Sequence, residues 1–346
     1  MVPVLDQNNI PLMPCSEKRA RLLMERNKAK PCFQKGIFCI KLMVEPSARN
    51  YQKIAVGVDP GSKREGYTVS TEKAVVLNIL TDTKNWVKDH LKTKRILRRS
   101  RRQRKTPFRK CRSNRLRNTN RIPPSTKTRW ETKLNLIKYL IKLIPISVIN
   151  VEDVQASTKP GQKRWNLSFS PLEVGKNWFY SELRKLGIKL ILTKGFETKL
   201  ARDNRGFAKS KKKLDWVWET HNVDSHILVE LALNKSVEPY LGMWKIEFLE
   251  YHRRVLHRQN PSKDGVRSAY GSTISLGMPR GSILRYKNKL YYLGGTSKGK
   301  ISIHSIETGK RVSRSIKKKD IKMLYTNNRR TQFLYRHKGG SPLAQI

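Results

Sequence analysis

From Lys53 onward the apolar residues fall into short runs whose period changes along the chain. Lys53–Asp59, Glu65–Ser70 and Lys73–Leu80 are rich in β-branched residues and are joined by Pro60-Gly61-Ser62-Lys63-Arg64 and by Thr71-Glu72, which predicts three consecutive strands. Leu134, Ile137, Leu140, Ile141 and Ile144 then recur at helical spacing until Pro145 stops the helix. A buried strand follows over Ser147–Glu152. Gly175–Leu186 reads as a helix ended by Gly187, Ile188–Leu192 as another strand, and Leu214–Leu233 as a long amphipathic helix.

Three meander strands followed by helix, strand, helix, strand and helix is the element order of a ribonuclease H-like α/β fold. Its sheet is mixed, because the chain starts with hairpins and continues with crossovers. Residues 1 to about 50 predict a small leading unit. There Pro11-Leu12-Met13-Pro14 breaks the chain, Ser16 caps a helix running to about Asn27 with Arg19 at the capping-box position, and Gly36–Leu42 is a short strand. Beyond Pro239, Ser282–Tyr286, Lys289–Leu293, Lys300–Ile306 and Lys310–Ile316 are short strands with turns between them, which predicts a small basic β-barrel. No internal repeat is visible.

Charge changes this picture most. The 346 residues hold 74 Lys and Arg against 26 Asp and Glu, a formal net charge of +48. Such a field draws polyanions, and each phosphate neutralised releases condensed counterions. Anionic membrane is the competing polyanion. The basic residues are not gathered beside an apolar anchor, however, and the longest apolar stretch, Leu134–Val151, is broken by Lys138, Lys142 and Pro145. The N-terminus also lacks the layout of a signal peptide, so a soluble intracellular protein is expected. Cys15, Cys32, Cys39 and Cys111 form no C-x-x-C pair, which argues for free thiols and against a zinc site or disulfide framework.

The basic residues are densest from Lys92 to Arg129, where seventeen Lys or Arg occur without one Asp or Glu. A disordered basic tail is the plain alternative, but the run lies inside the chain and includes Ile96, Leu97, Phe108 and Leu116. A helix with arginines on nearly all sides is stable where phosphates surround it, which folded RNA or a heteroduplex provides more readily than one face of DNA.

In so basic a chain the acids stand out. Asp59 ends the first core strand, Glu152 ends the strand after the first core helix, and Asp224 lies on the last helix with His221 three residues before it on the same face. In the expected sheet the first and fourth strands are neighbours, which brings Asp59 beside Glu152. Carboxylates gathered in this way repel one another unless divalent cations neutralise them. Two Mg²⁺ ions about 4 Å apart would hold a scissile phosphate between them, and oxygen-only donors suit Mg²⁺ or Mn²⁺ rather than zinc. Asp before Pro-Gly is commonly a plain turn residue, and Glu152-Asp153 at a strand end is commonly solvated charge. The warrant is the set taken together. Alternation along the strand selects Glu152 over Asp153. His226, His252 and His257 have no neighbouring acid or cysteine that completes a site.

Several of these stretches resemble the transposon-encoded IscB group. Val4-Leu5-Asp6 with Pro11-Leu12-Met13-Pro14 is similar to its N-terminal PLMP domain, and Ile54–Gly66 to its first RuvC segment. Arg95–Arg117 resembles its arginine-rich bridge helix, Val148–Asp153 its second RuvC segment, and His221–Ser225 its third. No histidine lies between His90 and His221, and the gap from Glu152 to His221 is too short for an HNH nuclease insert. The chain is therefore most similar to the IsrB family, which lacks that insert.

The resemblance implies a PLMP domain over 1–50, RuvC parts over 51–90 and 130–238, a bridge helix over 91–129, and a domain over 239–346 that reads a target-adjacent motif. It implies Asp59, Glu152 and Asp224 as ligands of two Mg²⁺, with Mn²⁺ able to substitute, and His221 as general base or phosphate contact. Arg95, Arg98, Arg99, Arg101, Arg102, Arg104, Lys105, Arg109, Lys110, Arg112, Arg115 and Arg117 would bind nucleic acid. Ser225 stands where Ala is common in the family. The implied activity is nicking of the non-target strand of double-stranded DNA, directed by a long ωRNA paired to its target as an RNA–DNA heteroduplex. One protein chain per RNA in a prokaryotic, nucleoid-associated cytoplasm is expected. The residues alone also permit a guide-free structure-specific nuclease, or a non-catalytic basic RNA-binding protein.

Overall fold

The structure is a computed structural model that describes residues 1–103, 122–153, 171–248, 259–260, 265–266, 274–325, 329–335 and 343–345. The leading unit is more regular than its sequence predicts. Strands β1 (Val2–Leu5), β2 (Pro11–Cys15), β3 (Ala29–Gln34) and β4 (Ile37–Leu42) form one sheet in the order β2-β1-β4-β3. Pro11–Cys15 is thus a strand and not a break. It lies at the sheet edge, where a proline without an N–H is tolerated. Helix α1 (Glu17–Glu25) starts at Ser16, whose Oγ accepts from the Arg19 N–H at 3.3 Å, and it ends two residues earlier than expected.

The core sheet begins with β5 (Ile54–Asp59), β6 (Arg64–Thr71) and β7 (Val75–Asp82), paired antiparallel. β8 (Val148–Asp153) then joins β5 in parallel, and β9 (Lys189–Lys194) joins β8 in parallel. Among these five the spatial order is third, second, first, fourth, fifth. The sheet is mixed α/β, as its hairpin start and later crossovers predict. It also continues past β7. β10 (Met243–Phe248) pairs parallel to β7, and Arg329–Tyr335 and Leu343–Gln345 follow it. The segment beyond Pro239 is therefore shared between this sheet and a separate five-stranded sheet over 283–325.

Alternation along the strands sorts side chains between two layers. Ile54, Val56 and Val58 of β5 and Ile149 and Val151 of β8 face a core built with helix α3 (Pro124–Ile141) and helix α4 (Pro171–Arg184), where Trp130 and Phe179 stack with ring centroids 5.1 Å apart. Ala55 and Val148 face the opposite way, against Val229, Ala232 and Leu233 of the last core helix, Trp218–Leu233. That helix starts four residues later than its periodicity predicts. It is buried on nearly every side, polar residues included, where an amphipathic surface helix was expected.

Helix α2 (Val87–Gln103) carries the first part of the basic run. The run is not one helix to Arg129, because Pro124, favoured at a helix start, opens α3. A helix over Gly195–Asn204 (α5) was not foreseen. The Trp218–Leu233 helix becomes α6. Among the described residues no helix is long and apolar enough to cross a membrane.

One buried ion pair ties the layers. Lys133 of α3 bonds Glu65 of β6, whose other oxygen accepts from Tyr67 Oη at 2.6 Å. All three side chains are buried. Burial pushes the Glu65 carboxyl up, and Lys133 opposes that. Removing one partner leaves the other buried and uncompensated, so Lys133→Met should destabilise the fold by about 3 kcal/mol. Denaturant unfolding checks this, and the pair Glu65→Gln with Lys133→Met should recover part of the loss.

Candidate active site

Asp59 shares the α6 side of β5 with Ala55 and Gly57. The β5–β8 register, Val58 opposite Val151, sets Asp59 beside Glu152. Glu152 has the parity of Val148 and Asn150, and Asn150 Nδ2 donates to the Leu228 carbonyl of α6 at 2.8 Å. Asp153 turns to the other layer, where Tyr180 Oη donates to it at 2.9 Å and Lys176 pairs with it at 3.0 Å. Strand parity thus separates the two adjacent acids.

Helix α6 is pinned to the sheet by polar clamps. Asn222 Nδ2 donates to the carbonyls of Tyr67 and Ile79, each at 3.1 Å, and the hydroxyls of Ser225 and Thr68 meet at 2.8 Å. Ser225 therefore uses a hydroxyl that an alanine would lack. Glycines on the sheet admit the helix backbone closely. A Cβ on Gly57 would lie 2.0 Å from the Ser225 carbonyl oxygen, and one on Gly66 2.4 Å from that of His221.

This seating delivers His221 and Asp224 to the carboxyl ends of β5 and β8. His221 Nδ1 lies 2.6 Å from Asp59 Oδ2. An ionised carboxylate can only accept, so Nδ1 carries the proton and a neutral ring keeps Nε2 as acceptor. Asp224, 1% exposed, has both oxygens engaged by cations. Arg202 Nη1 of α5 donates to Oδ1 at 2.5 Å, and Lys209, on the connection between α5 and α6, donates to Oδ2.

Electrostatics join the three acids into one cluster. Burial, the Asp59 charge and a shared hydrogen bond push the Glu152 carboxyl up to about 8, with Asp224 adding to the effect. Burial would raise Asp59 too, but His221 and Lys209 outweigh it and hold that carboxyl below its usual value. Burial opposes the Lys209 charge, yet attraction to Asp59, Asp224 and Glu152 raises its pKa.

A carboxyl whose folded pKa exceeds its unfolded value contributes stability below that unfolded value. The contribution is lost as pH rises through the folded one. Metal-free protein should therefore lose more Tm between about pH 6 and about pH 9 than its Glu152→Gln variant, and scanning calorimetry in EDTA checks the difference. Parallel pH profiles would contradict it.

The donor set is oxygen-rich and anionic, which suits Mg²⁺ or Mn²⁺. Among the described residues, no three His, Cys, Asp or Glu side chains converge as they stand on one ion position. Asp59 raises the Glu152 carboxyl, and Asp224 is drawn to Arg202 and Lys209. Asp224 would have to leave one of these partners before it could act as a ligand.

Arg95, Arg98 and Arg99 lie exposed on α2, as do Ile96 and Leu97 at 65% and 59% exposure. Arg101 and Arg102 belong to the same helix. Arg104, Lys105, Arg109, Lys110, Arg112, Arg115 and Arg117 lie outside the described residues, as do Cys111, His252 and His257. His226 is a buried packing residue whose Nε2 lies 3.1 Å from the Val237 carbonyl.

Sequence reasoning missed Arg202 and Lys209. Among 74 basic residues, no spacing sets these two apart.

Fold and site together define a mixed α/β protein with an acidic cluster at the carboxyl ends of its central strands. Its residues 2–164 match the model of the RRXRR protein family. Solved structures similar to the chain include T. thermophilus RuvC in complex with Holliday junction substrate, at 10% identity and a TM-score of 0.27, covering 54% of this chain and 83% of that one. The Thermus thermophilus RuvC structure is another, at 11% identity, the same coverage and a TM-score of 0.27. No curated protein matches the chain.

Proposed function

We propose that this protein is a metal-dependent DNA nickase of the IsrB type, with a RuvC-like ribonuclease H core guided by an ωRNA. The observation that carries the reading is the cluster of Asp59, Glu152 and Asp224. They come from two strands and one helix to a common edge, with cationic partners among them. Acids pushed apart in pKa by burial and by one another at a strand edge are a frequent mark of a functional site.

In this reading Asp59, Glu152 and Asp224 hold two Mg²⁺ ions. When bound there, such ions would polarise a phosphate and acidify a water for attack. Asp59 also orients His221 through Nδ1, which leaves Nε2 to accept the proton of the attacking water. Helix α2 is the start of the bridge helix. Its exposed arginines and its exposed Ile96 and Leu97 have the composition of a surface meant to be covered by nucleic acid. Residues 1–50 are the PLMP domain in this reading, and the five-stranded sheet over 283–325 belongs to the part that reads the target-adjacent motif. Base pairing supplies sequence reading while the protein holds backbone and shape.

The test is guide dependence. Protein purified with its native RNA is presented with Mg²⁺ and plasmids that match the RNA's variable segment or carry a scrambled one, each with a randomised flank. Relaxation of the matched plasmid alone, abolished by ribonuclease treatment, is the expected result. Cleavage of branched DNA by RNA-free protein would instead favour a guide-free structure-specific nuclease.

A further inference from the structure

Lys209 stands apart from the other basic residues. Its side chain is 30% exposed, yet its ammonium reaches the nearly inaccessible Asp224 Oδ2, and it is attracted to Asp59 and Glu152 as well. It therefore lies within the field of all three acids. Arg202, the other partner of Asp224, sits on a regular helix and takes Oδ1. Lys209 belongs instead to the irregular connection between α5 and α6, followed by exposed Lys211, Lys212 and Lys213. Of the two cations, Lys209 is thus the one whose main chain is not held in a helix.

We infer that Lys209 is an internal counter-ion that holds the acidic cluster together in the metal-free protein and must leave Asp224 for a divalent cation to bind there. The inference rests on the metal-site reading above. Three facing carboxylates without a cation would repel one another and loosen α6 from the strand ends. The ammonium offsets part of that repulsion. It also occupies the oxygen that a metal ligand has to offer, and a monovalent and a divalent cation cannot share one carboxylate oxygen at contact distance without strong repulsion. Metal binding is consequently an exchange of cations at Asp224 Oδ2. Arg202 keeps Asp224 in place during the exchange. The lysine it releases joins the basic run Lys211–Lys213 beside the site.

The exchange is tested by Mn²⁺ binding to the full RNA-bound protein, followed by electron paramagnetic resonance of free Mn²⁺. The site signal is the component lost in Asp59→Asn, which separates it from ions held by RNA. Lys209→Met should tighten that component at least about tenfold, the equivalent of one removed competing charge of modest strength. It should also lower Tm in EDTA while enlarging the Tm gain on adding Mn²⁺. Lys209→Arg, which keeps the charge, should leave the affinity near wild type. Lys209→Gln is neutral but still donates to Asp224, and it should fold where the methionine variant does not and bind Mn²⁺ more tightly than wild type. Equal or weaker Mn²⁺ binding by the folded neutral variants would overturn the inference while the metal site stands. Mn²⁺ binding indifferent to Asp59→Asn would overturn the site reading and the inference together.

Discussion

Asp59→Ala should lower the rate of DNA cleavage by at least about a thousandfold while leaving RNA and DNA binding near wild type. The substitution removes a carboxylate that anchors one side of the acidic cluster and the group that fixes the His221 tautomer. Both losses fall on the chemical step. The exposed basic side chains of α2 are untouched, and Asp59 is only 5% exposed. Stability should not collapse either. Without the Asp59 charge, Glu152 loses a main source of repulsion and ionises more readily. Single-turnover cleavage and mobility-shift titration of the same preparation separate the two effects. Parallel loss of binding and cleavage would show that Asp59 is structural.

Gly57→Val should cost the most stability of any single change at the site, about 3 kcal/mol or more. A Cβ at residue 57 meets the Ser225 carbonyl oxygen at 2.0 Å and the Leu228 Cβ at 3.0 Å, so backbone has to move. The element that moves is α6, which carries His221 and Asp224. Unfolding should therefore shift to lower denaturant, and cleavage should fall even where the variant remains folded. Gly57→Ala, smaller but still clashing with the same oxygen, should fall between wild type and valine. A valine variant with wild-type stability would show that α6 does not rest on β5 as described.

Much of the core was legible because its signals are local. The apolar runs before Asp59 and Glu152 end at those acids, and the hairpin-then-crossover order makes β5 and β8 neighbours. Parity separates Glu152 from Asp153, and the structure puts Asp153 against Lys176 and Tyr180 in the other layer. What stayed hidden depends on distant pairing or on weak contrast. β10 joins β7 in parallel across more than 150 residues, which no local pattern announces. Helix α5 exposes Phe196 and Leu200, at 65% and 62%, so its apolar residues do not mark a buried stripe. Pro11–Cys15 contains two prolines and reads as a break, yet an edge strand accepts them. Arg202 and Lys209 were invisible for a different reason. Their role comes from the acids they meet, and those acids are brought to them by tertiary structure.

The Asp59–Glu152–Asp224 cluster is proposed to hydrolyse one strand of a DNA duplex with a divalent metal. End-labelling each strand of a matched duplex separately decides this. The RNA-bound protein is then titrated with Mg²⁺, and products are resolved on denaturing gels. Mg²⁺-dependent cleavage of the strand not paired to the guide, an intact paired strand and no product in EDTA are the expected results. Cleavage that persists in EDTA, cuts both strands equally, or survives in Glu152→Gln would contradict the proposal.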